Sequence, residues 1–161
     1  MEQAEVERAL RRHGSQILHL AWSYLHSRAD AEDVLQDTMV QLMRTSPQFE
    51  NENHEKAWLM RVAANLCKNR LRSPWSRYGE LPEDYPAEGI PEESLELLQA
   101  VGRLPLKYRE VVHLFYYEDA TTAQIAQILG KNEATVRSLL SRARARLRAW
   151  LKGGSETDGY L

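Results

Sequence analysis

Residues 121–151 read TTAQIAQILGKNEATVRSLLSRARARLRAWL, and their pattern predicts two helices joined by a tight turn. Thr121 and Gln124 have the spacing of a capping box at the start of a short helix, and Gly130 suits the left-handed residue after its end. Asn132 is then the predicted N-cap of a longer helix that continues to about residue 151. Two helices with such a turn, the second rich in arginine, are typical of a helix-turn-helix motif.

The apolar spacing of this motif predicts which side chains face inward and which face outward. Ile125, Ala126 and Leu129 are expected to pack against Val136 and Leu140. The outward set is polar and consists of Asn132, Glu133, Thr135, Arg137, Ser138, Ser141 and Arg142. In a major groove, arginine reads guanine, and short polar side chains contact base edges or phosphates. A solvated basic helix is the alternative for an isolated arginine-rich helix, but the capped helix and glycine turn before it favour DNA binding.

Arg144, Arg146 and Arg148 follow on the same predicted helix and alternate with apolar residues. This spacing spreads them around the helix, which suits contacts with backbone phosphates more than base reading. Residues 131–152 hold seven basic residues and one acidic residue, although the whole chain has a net charge of −2. Because salt screens charges beyond about 8 Å, a local basic segment can attract DNA despite that mean charge.

The chain before this motif also shows helical periodicity, with almost no strand pattern. One face of a first helix is lined by Ile17, Leu18, Ala21, Tyr24 and Leu25. A second helix is predicted to start at an Asp30 N-cap and to end at Ser46-Pro47, and its buried stripe contains Leu35, Thr38, Met39 and Leu42. A third helix stops near Ser73-Pro74, and its inward residues are Leu59, Val62, Ala63 and Leu66.

Residues 74–93 contain four prolines, two glycines and a run of acids, which together predict an extended linker. The predicted fold is therefore all-α, with two small helical domains joined by a flexible acidic linker. The first domain is expected over residues 1–73 and the helix-turn-helix domain over residues 94–152. The tail, residues 153–161, is expected to be mobile.

Other function classes find little support. The single cysteine, Cys67, can form no internal disulfide, and the five histidines are scattered. The sequence shows no catalytic triad or dyad, no phosphate-binding glycine loop and no metal-ligand cluster, so we expect no enzyme activity, cofactor or metal. The charged N-terminus lacks a signal core and no apolar run is long enough to span a membrane, so a cytoplasmic protein is expected.

Residues 104–112, Leu-Pro-Leu-Lys-Tyr-Arg-Glu-Val-Val, and the helix-turn-helix after them resemble the DNA-binding fourth region of extracytoplasmic-function (ECF) sigma factors. The similarity continues through Ile125-Ala126, Leu129-Gly130, Thr135-Val136-Arg137-Ser138 and Arg142-Ala143-Arg144. Two positions depart from the family pattern. Ala134 stands where glycine is usual, and Leu139 stands where a second basic residue is usual. The lost charge at Leu139 is expected to cost a phosphate contact.

Residues 30–37, Asp-Ala-Glu-Asp-Val-Leu-Gln-Asp, resemble the second region of the same family, whose helix binds the coiled coil of the polymerase beta-prime subunit. The resemblance implies a polymerase-binding surface made of Glu32, Asp33, Gln36 and Asp37. Taken alone, these acids would equally suit a solvated face. A divalent-metal site is disfavoured because no further ligands are positioned to complete a shell.

The third helix resembles the element that melts and reads the downstream promoter element. Its candidate DNA-binding residues are Arg61, Asn65, Lys68, Asn69 and Arg72. Amides beside cations suit exposed base edges and the phosphates of a separated strand. Many family members carry Asp where this chain has Asn69, so sequence preference is expected to shift. The loop 48–54 lies where members hold a flipped-out base, and Trp58 is expected in the core, with base stacking as the alternative.

The resemblance as a whole implies a non-enzymatic initiation factor that directs RNA polymerase to promoters. The implied partners are core polymerase, through its beta-prime and beta subunits, and promoter DNA, double-stranded upstream and single-stranded downstream. Many members also have a regulating anti-sigma factor, although no residue here identifies one. The alternative, a stand-alone helix-turn-helix regulator, leaves the acidic second helix and the Asn/Arg-rich third helix without a role.

Overall fold

The computed structural model describes residues 1–72 and 99–151, and within these ranges the chain is helical and contains no strand. It divides into two compact units. This confirms the predicted all-α class with two helical domains. The expected linker 74–93 and tail 153–161 lie outside the described residues, and the boundaries 1–73 and 94–152 remain predictions.

The first unit contains three helices that all contact one another: α1 (Gln3–Leu25), α2 (Arg28–Thr45) and α3 (Glu52–Arg72). In the second unit, residues 99–103 are helical and precede α4 (Leu106–Val112), which continues into a π-helical turn (His113–Tyr117). The helix-turn-helix follows as α5 (Thr122–Leu129) and α6 (Glu133–Leu151). None of the helices in the described ranges combines the length and apolar character that a membrane span requires.

The core of the first unit follows the predicted periodicity with local shifts. Ile17, Ala21, Tyr24 and Leu25 of α1 are buried as predicted, whereas Leu18 is half-buried and Leu20 takes its place. On α2 the predicted Thr38, Met39 and Leu42 are buried, but Leu35 is only half-buried and its neighbour Val34 is fully buried. Adjacent helix positions differ by about 100° around the axis, so the rotation of α2 about its axis decides which of these two residues faces the core.

The inward face of α3 shows the same kind of shift. Leu59 and Ala63 are buried as predicted, but Val62 and Leu66 are half-buried. The remaining interior positions of this helix are Met60, Ala64 and Cys67. These residues lie one position beyond or before the predicted ones, because α3 packs against two helices and therefore buries a wider stripe than one face.

The start of α2 differs from the prediction. Ser27, not Asp30, is the N-cap, and its side-chain oxygen accepts a hydrogen bond from the backbone N–H of Asp30 at 3.3 Å. Asp30 lies in the first turn, where a negative charge interacts favourably with the helix dipole. The predicted end of α2 is confirmed, since Ser46 adopts a left-handed conformation with φ 45° just before Pro47.

The predicted caps of the helix-turn-helix are confirmed. The backbone N–H of Thr121 donates to Gln124 Oε1 at 2.8 Å, and the N–H of Gln124 donates back to Thr121 Oγ1 at 3.1 Å. Gly130 has φ 67°, a left-handed value that favours glycine. Asn132 Oδ1 accepts from the backbone N–H of Thr135 at 2.8 Å and so caps α6. Short-range side-chain chemistry therefore sets the geometry of the turn.

Candidate DNA-binding and partner-binding surfaces

The leading turns of α6 present a polar face. The buried stripe of the helix contains Val136, Leu140, Ala143 and Leu147. Ile125 and Ile128 of α5 are also buried, whereas the predicted Ala126 and Leu129 are half-buried. All seven residues of the outward set are exposed: Asn132, Glu133, Thr135, Arg137, Ser138, Ser141 and Arg142. The structure therefore brings these candidate DNA-binding residues together on one surface.

Glu133 connects the two helices of the motif at their N-terminal ends. Its Oε1 atom accepts a hydrogen bond from the hydroxyl of Thr122 at 2.8 Å and lies 3.1 Å from the Arg137 guanidinium. Arg137 is thus paired with an acid on its own helix while most of its side chain stays exposed. A phosphate or base acceptor that approaches Arg137 would have to share it with Glu133.

The later arginines of α6 are supported by aromatic side chains. Arg144 donates a hydrogen bond from Nε to the Tyr116 hydroxyl at 2.7 Å, and its guanidinium lies 5.4 Å from the centre of the Phe115 ring. The Arg146 guanidinium lies 4.9 Å from the centre of the Tyr108 ring. Arg148 is half-buried. Sequence reasoning missed these supports, because Phe115 and Tyr116 belong to the π-helical turn and not to the motif.

Leu139, one of the two departures from the family pattern, is 7% exposed, so its side chain lies on the packed side of α6. The expected loss of a phosphate contact at this position stays a prediction. A charge introduced at this position would have to be accommodated in a buried setting. Ala134, the other departure from the family pattern, is exposed in the first turn of α6.

The acidic surface of α2 is exposed at all four predicted residues, Glu32, Asp33, Gln36 and Asp37. Glu32 pairs with Arg28 on the same helix at 3.1 Å. Asp33 and Asp37 lie 3.9 Å and 3.5 Å from the guanidinium of Arg70 on α3. Sequence reasoning missed this contact, because 33 residues or more separate Arg70 from the α2 acids.

Two exposed apolar residues extend this surface toward the end of α2. Val40 and Met43 are each nearly half exposed. They follow Asp33 and Gln36 at helical spacing, so they share the same stripe. Their positions at i+7 from these residues were the signal that sequence reasoning overlooked. We refer to Asp33, Gln36, Asp37, Val40 and Met43 together as the α2 stripe.

The candidate DNA-binding residues of α3 lie opposite its buried side. Arg61, Asn65, Asn69 and Arg72 are exposed and Lys68 is half-buried. At the start of this helix, Trp58 is half-buried and meets the Phe49 ring edge-on, with centroids 5.9 Å apart. Phe49 also contacts His54 at 5.3 Å. The ring of Trp58 is therefore neither fully in the core nor free, and the loop before α3 is ordered around an aromatic cluster.

Cys67 lies in the interior of the first unit, with no exposed surface. Burial raises the pKa of its thiol to about 12, and the positive charge of Arg70 opposes this shift. The neutral thiol is therefore the form present at physiological pH, which disfavours nucleophilic or metal-binding chemistry. Within residues 1–72 and 99–151, no three His, Cys, Asp or Glu side chains are grouped to hold a metal ion.

Comparison with known proteins identifies the family. The family description "Sigma-70 region 2" matches residues 9–77, and "Sigma-70, region 4" matches residues 94–147. The ECF RNA polymerase sigma factor SigM of Mycobacterium tuberculosis is 33% identical over 145 residues, which cover 88% of this chain and 74% of SigM. The chain belongs to the ECF sigma factors. The RNA polymerase sigma-E factor of Streptomyces coelicolor is 30% identical over 158 residues, which cover 91% of this chain and 86% of that relative.

Solved structures agree with this assignment. The structure of CnrH in complex with the cytosolic domain of CnrY has a TM-score of 0.70 at 26% identity, and the match covers 96% of this sigma factor and 92% of CnrH. The sigma factor RpoE from Bartonella quintana, solved with the anti-sigma factor NepR, has a TM-score of 0.71 at 22% identity and shows a shared fold. The sigma factor is thus a transcription initiation factor whose partners are core RNA polymerase and promoter DNA. The alternative of a stand-alone regulator is not supported, because it accounts for the second matched region only.

Proposed function

We propose that this sigma factor uses three separate surfaces for its three contacts during initiation. The α2 stripe binds core polymerase, the polar face of α3 binds the separated downstream strand, and the leading turns of α6 bind the upstream duplex. The observation that carries this proposal is exposure: each surface carries exposed polar or charged side chains, joined on α2 by Val40 and Met43, and each lies opposite the buried stripe of its own helix. The subunit is non-catalytic in this proposal, and its site of action is the cytoplasm.

The composition of the α2 stripe favours a protein-binding surface over a solvated face without a partner. Its carboxylates offer charge to basic groups, and Val40 and Met43 offer apolar area that a partner would remove from water. By resemblance to the second region of the family, the partner is the coiled coil of the beta-prime subunit. Glu32 lies at the edge of this stripe, where Arg28 already pairs with it.

The polar face of α3 suits a single strand. Asn65 and Asn69, one turn apart, offer amides to unstacked base edges, and Arg61, Lys68 and Arg72 offer charge to the phosphates. The Phe49–His54–Trp58 cluster lies beside the start of this helix and fixes the loop that precedes it. A fixed loop would let a flipped-out base be selected by shape, with little cost for ordering the loop.

The leading turns of α6 suit a major groove. Arg137 and Arg142 reach outward there, beside the short polar side chains of Thr135, Ser138 and Ser141. Farther along the helix lie Arg144, Arg146 and Arg148. Aromatic side chains contact the first two of these arginines and hold them in defined orientations. Defined orientations suit phosphate contacts that set the register of the protein on the duplex.

The domain assignment follows from these surfaces. Residues 1–73 would form the polymerase-binding and strand-separating domain, and residues 94–152 the upstream DNA-binding domain, which contacts the beta subunit as well. Since CnrH was solved with the cytosolic domain of CnrY, we infer that a regulating protein also binds this sigma factor.

The central experiment measures core-polymerase binding by a charge-reversal variant, Asp33→Lys. We expect at least about a tenfold loss of affinity, because a tenfold change corresponds to only about 1.4 kcal/mol and the variant replaces attraction by repulsion. Glu7→Lys is the matched control, since Glu7 is an exposed acid on α1 outside the stripe. Normal capture of core enzyme by a folded Asp33→Lys variant would remove the α2 stripe from the proposal.

A second experiment tests the dependence on polymerase. Footprints and run-off transcripts on promoter DNA should require both core polymerase and the sigma factor. Tight, sequence-specific footprints by the sigma factor alone, with no gain on adding core enzyme, would contradict the proposed division between surfaces.

A further inference from the structure

Arg70 occupies the junction between α3 and α2 and faces three carboxylates. Its guanidinium lies 3.7 Å from Asp30 Oδ1, 3.9 Å from Asp33 Oδ2 and 3.5 Å from Asp37 Oδ2. These acids follow one another on α2 at positions i, i+3 and i+7, which places them on one side of the helix. A single cation from α3 therefore interacts with an entire row of acids on α2.

Arg70 makes three long contacts and no tight hydrogen bond with these acids. A tight hydrogen bond between a guanidinium and a carboxylate measures about 2.7–2.9 Å, and all three distances here are longer. The Arg70 side chain is 29% exposed, whereas those of Asp33 and Asp37 are 61% and 55% exposed. The carboxylates of Asp33 and Asp37 thus remain accessible to a second cation, while Arg70 is less exposed than either.

We propose that Arg70 is a specificity-determining residue that competes with basic groups of the polymerase for Asp33 and Asp37 and so lowers the affinity of the α2 stripe. This inference rests on the proposed role of that stripe. A partner lysine or arginine that approaches Asp33 or Asp37 meets the positive charge of Arg70 within 4 Å of the same oxygens. Its attraction to the carboxylate is therefore reduced by repulsion from Arg70.

The competing charge also limits which partners the stripe accepts. A strongly basic partner gains most from free carboxylates, so Arg70 reduces its binding more than that of a partner that relies on Val40 and Met43. Arg70 thereby makes the α2 stripe favour partners with mixed apolar and polar surfaces over polycations such as basic tails. Because these charges are largely exposed, the effect of Arg70 is expected to fade as salt increases.

The test is the affinity of Arg70→Leu for core polymerase, measured by titration at low and high salt. We expect Arg70→Leu to bind core polymerase about 3–10-fold more tightly at low salt, because Asp33 and Asp37 no longer pair with Arg70 and are available to the polymerase. Its binding should also depend more steeply on salt. Arg11→Leu is the matched control, because it removes one exposed arginine from α1 of the same unit. Arg70→Lys keeps the charge and should bind nearly as the unchanged protein does.

Two further variants separate competition from a structural effect. Arg70→Gln keeps a hydrogen-bond donor beside the buried Asp30 but removes the charge, so it should reproduce the tighter binding even if Arg70→Leu is less stable. In an Asp37→Asn background, Arg70→Leu should gain less, since the nearest of its ion pairs is already gone. Melting temperatures of all variants show that each is folded under the conditions of the titration.

The outcomes distinguish this inference from the proposed function. If Asp33→Lys leaves core binding unchanged, the α2 stripe is not the polymerase surface and both proposals are wrong. If Asp33→Lys weakens binding but Arg70→Leu and Arg70→Gln bind no more tightly than Arg11→Leu, the stripe stands and the competition by Arg70 is wrong. Weaker binding of Arg70→Gln with an unchanged salt dependence would likewise overturn it.

Discussion

The Nε atom of Arg144 donates a hydrogen bond to the hydroxyl of Tyr116, 2.7 Å away, and thereby ties α6 to the π-helical turn. The guanidinium also faces the rings of Phe115 and Tyr116, at 5.4 Å and 5.6 Å from their centres. Arg142, two residues earlier, is exposed and makes no comparable contact within the described part of the chain. Two neighbouring arginines of one helix thus have different local roles.

This difference predicts different effects on stability. Arg144→Ala should lower the free energy of unfolding by about 1–2 kcal/mol, because it removes a charge-assisted hydrogen bond and cation–π contacts. Arg142→Ala should change it by no more than about 0.5 kcal/mol, as is usual for exposed positions. Urea denaturation of the two variants measures both values. Equal losses would show that the contact with Tyr116 contributes little.

Arg142 and Arg148 are predicted to differ in DNA binding. Arg142→Ala should cost about 1–3 kcal/mol of upstream binding and relax sequence preference, as expected for a base contact. Arg148→Ala should weaken binding about equally on all sequences and lower the salt slope by about one ion. Salt titrations on matched and scrambled upstream elements separate these effects. If the two variants behaved alike on both templates, α6 would serve only as a phosphate clamp.

The caps of the helix-turn-helix could be predicted from sequence because they are local. Thr121 with Gln124, Gly130 and Asn132 each act within a few residues of their own position, and backbone geometry fixes which groups they meet. The same reasoning placed the start of α2 about one turn too late, at Asp30 instead of Ser27. Both residue types can cap a helix, and they stand three positions apart.

Side-chain burial could be predicted only approximately. Whether Val34 or Leu35 faces the core depends on the rotation of α2 against α1 and α3, which adjacent apolar residues do not specify. The Arg70 contacts with Asp33 and Asp37 depend on how α2 and α3 cross. The pattern of charges along the sequence does not specify the distance between side chains of two different helices. The burial of Leu139 could likewise not be read from the resemblance, which compares residue types and not packing.

The burial of Leu139 predicts an effect of charge on stability. Because its side chain is buried, Leu139→Arg should lower the free energy of unfolding by about 1–3 kcal/mol, the cost of placing a charge in a packed position. Ala134→Arg is the control, since it adds the same charge at an exposed position of the same helix. Thermal melts of both variants decide the matter. A fully stable Leu139→Arg variant would contradict the predicted cost of burial, and tighter DNA binding by it would support the expectation that Leu139 leaves a phosphate contact unmade.

Because the Cys67 thiol is buried, we predict that the protein loses stability at alkaline pH. In the folded protein burial raises the pKa of its thiol from 9.0 to about 12, whereas the unfolded chain ionises near the ordinary value. Above pH 9 the unfolded state therefore releases this proton and the folded state does not, so the contribution of Cys67 to stability is complete below pH 9 and decreases as the pH rises. The decrease should be about 1.4 kcal/mol per pH unit until the folded thiol also ionises.

The measurement compares urea denaturation of the unchanged protein and Cys67→Ala at pH 8 and pH 10. Other groups that ionise in this range, including Tyr117, whose pKa burial also raises, affect both proteins equally and cancel in the difference. The unchanged protein should lose about 1.4 kcal/mol more than Cys67→Ala between these two pH values. The native thiol should also react with a thiol reagent far more slowly than the denatured one. Parallel pH profiles, together with rapid labelling of the folded protein, would show that Cys67 is accessible and that the interior of the first unit opens readily around it.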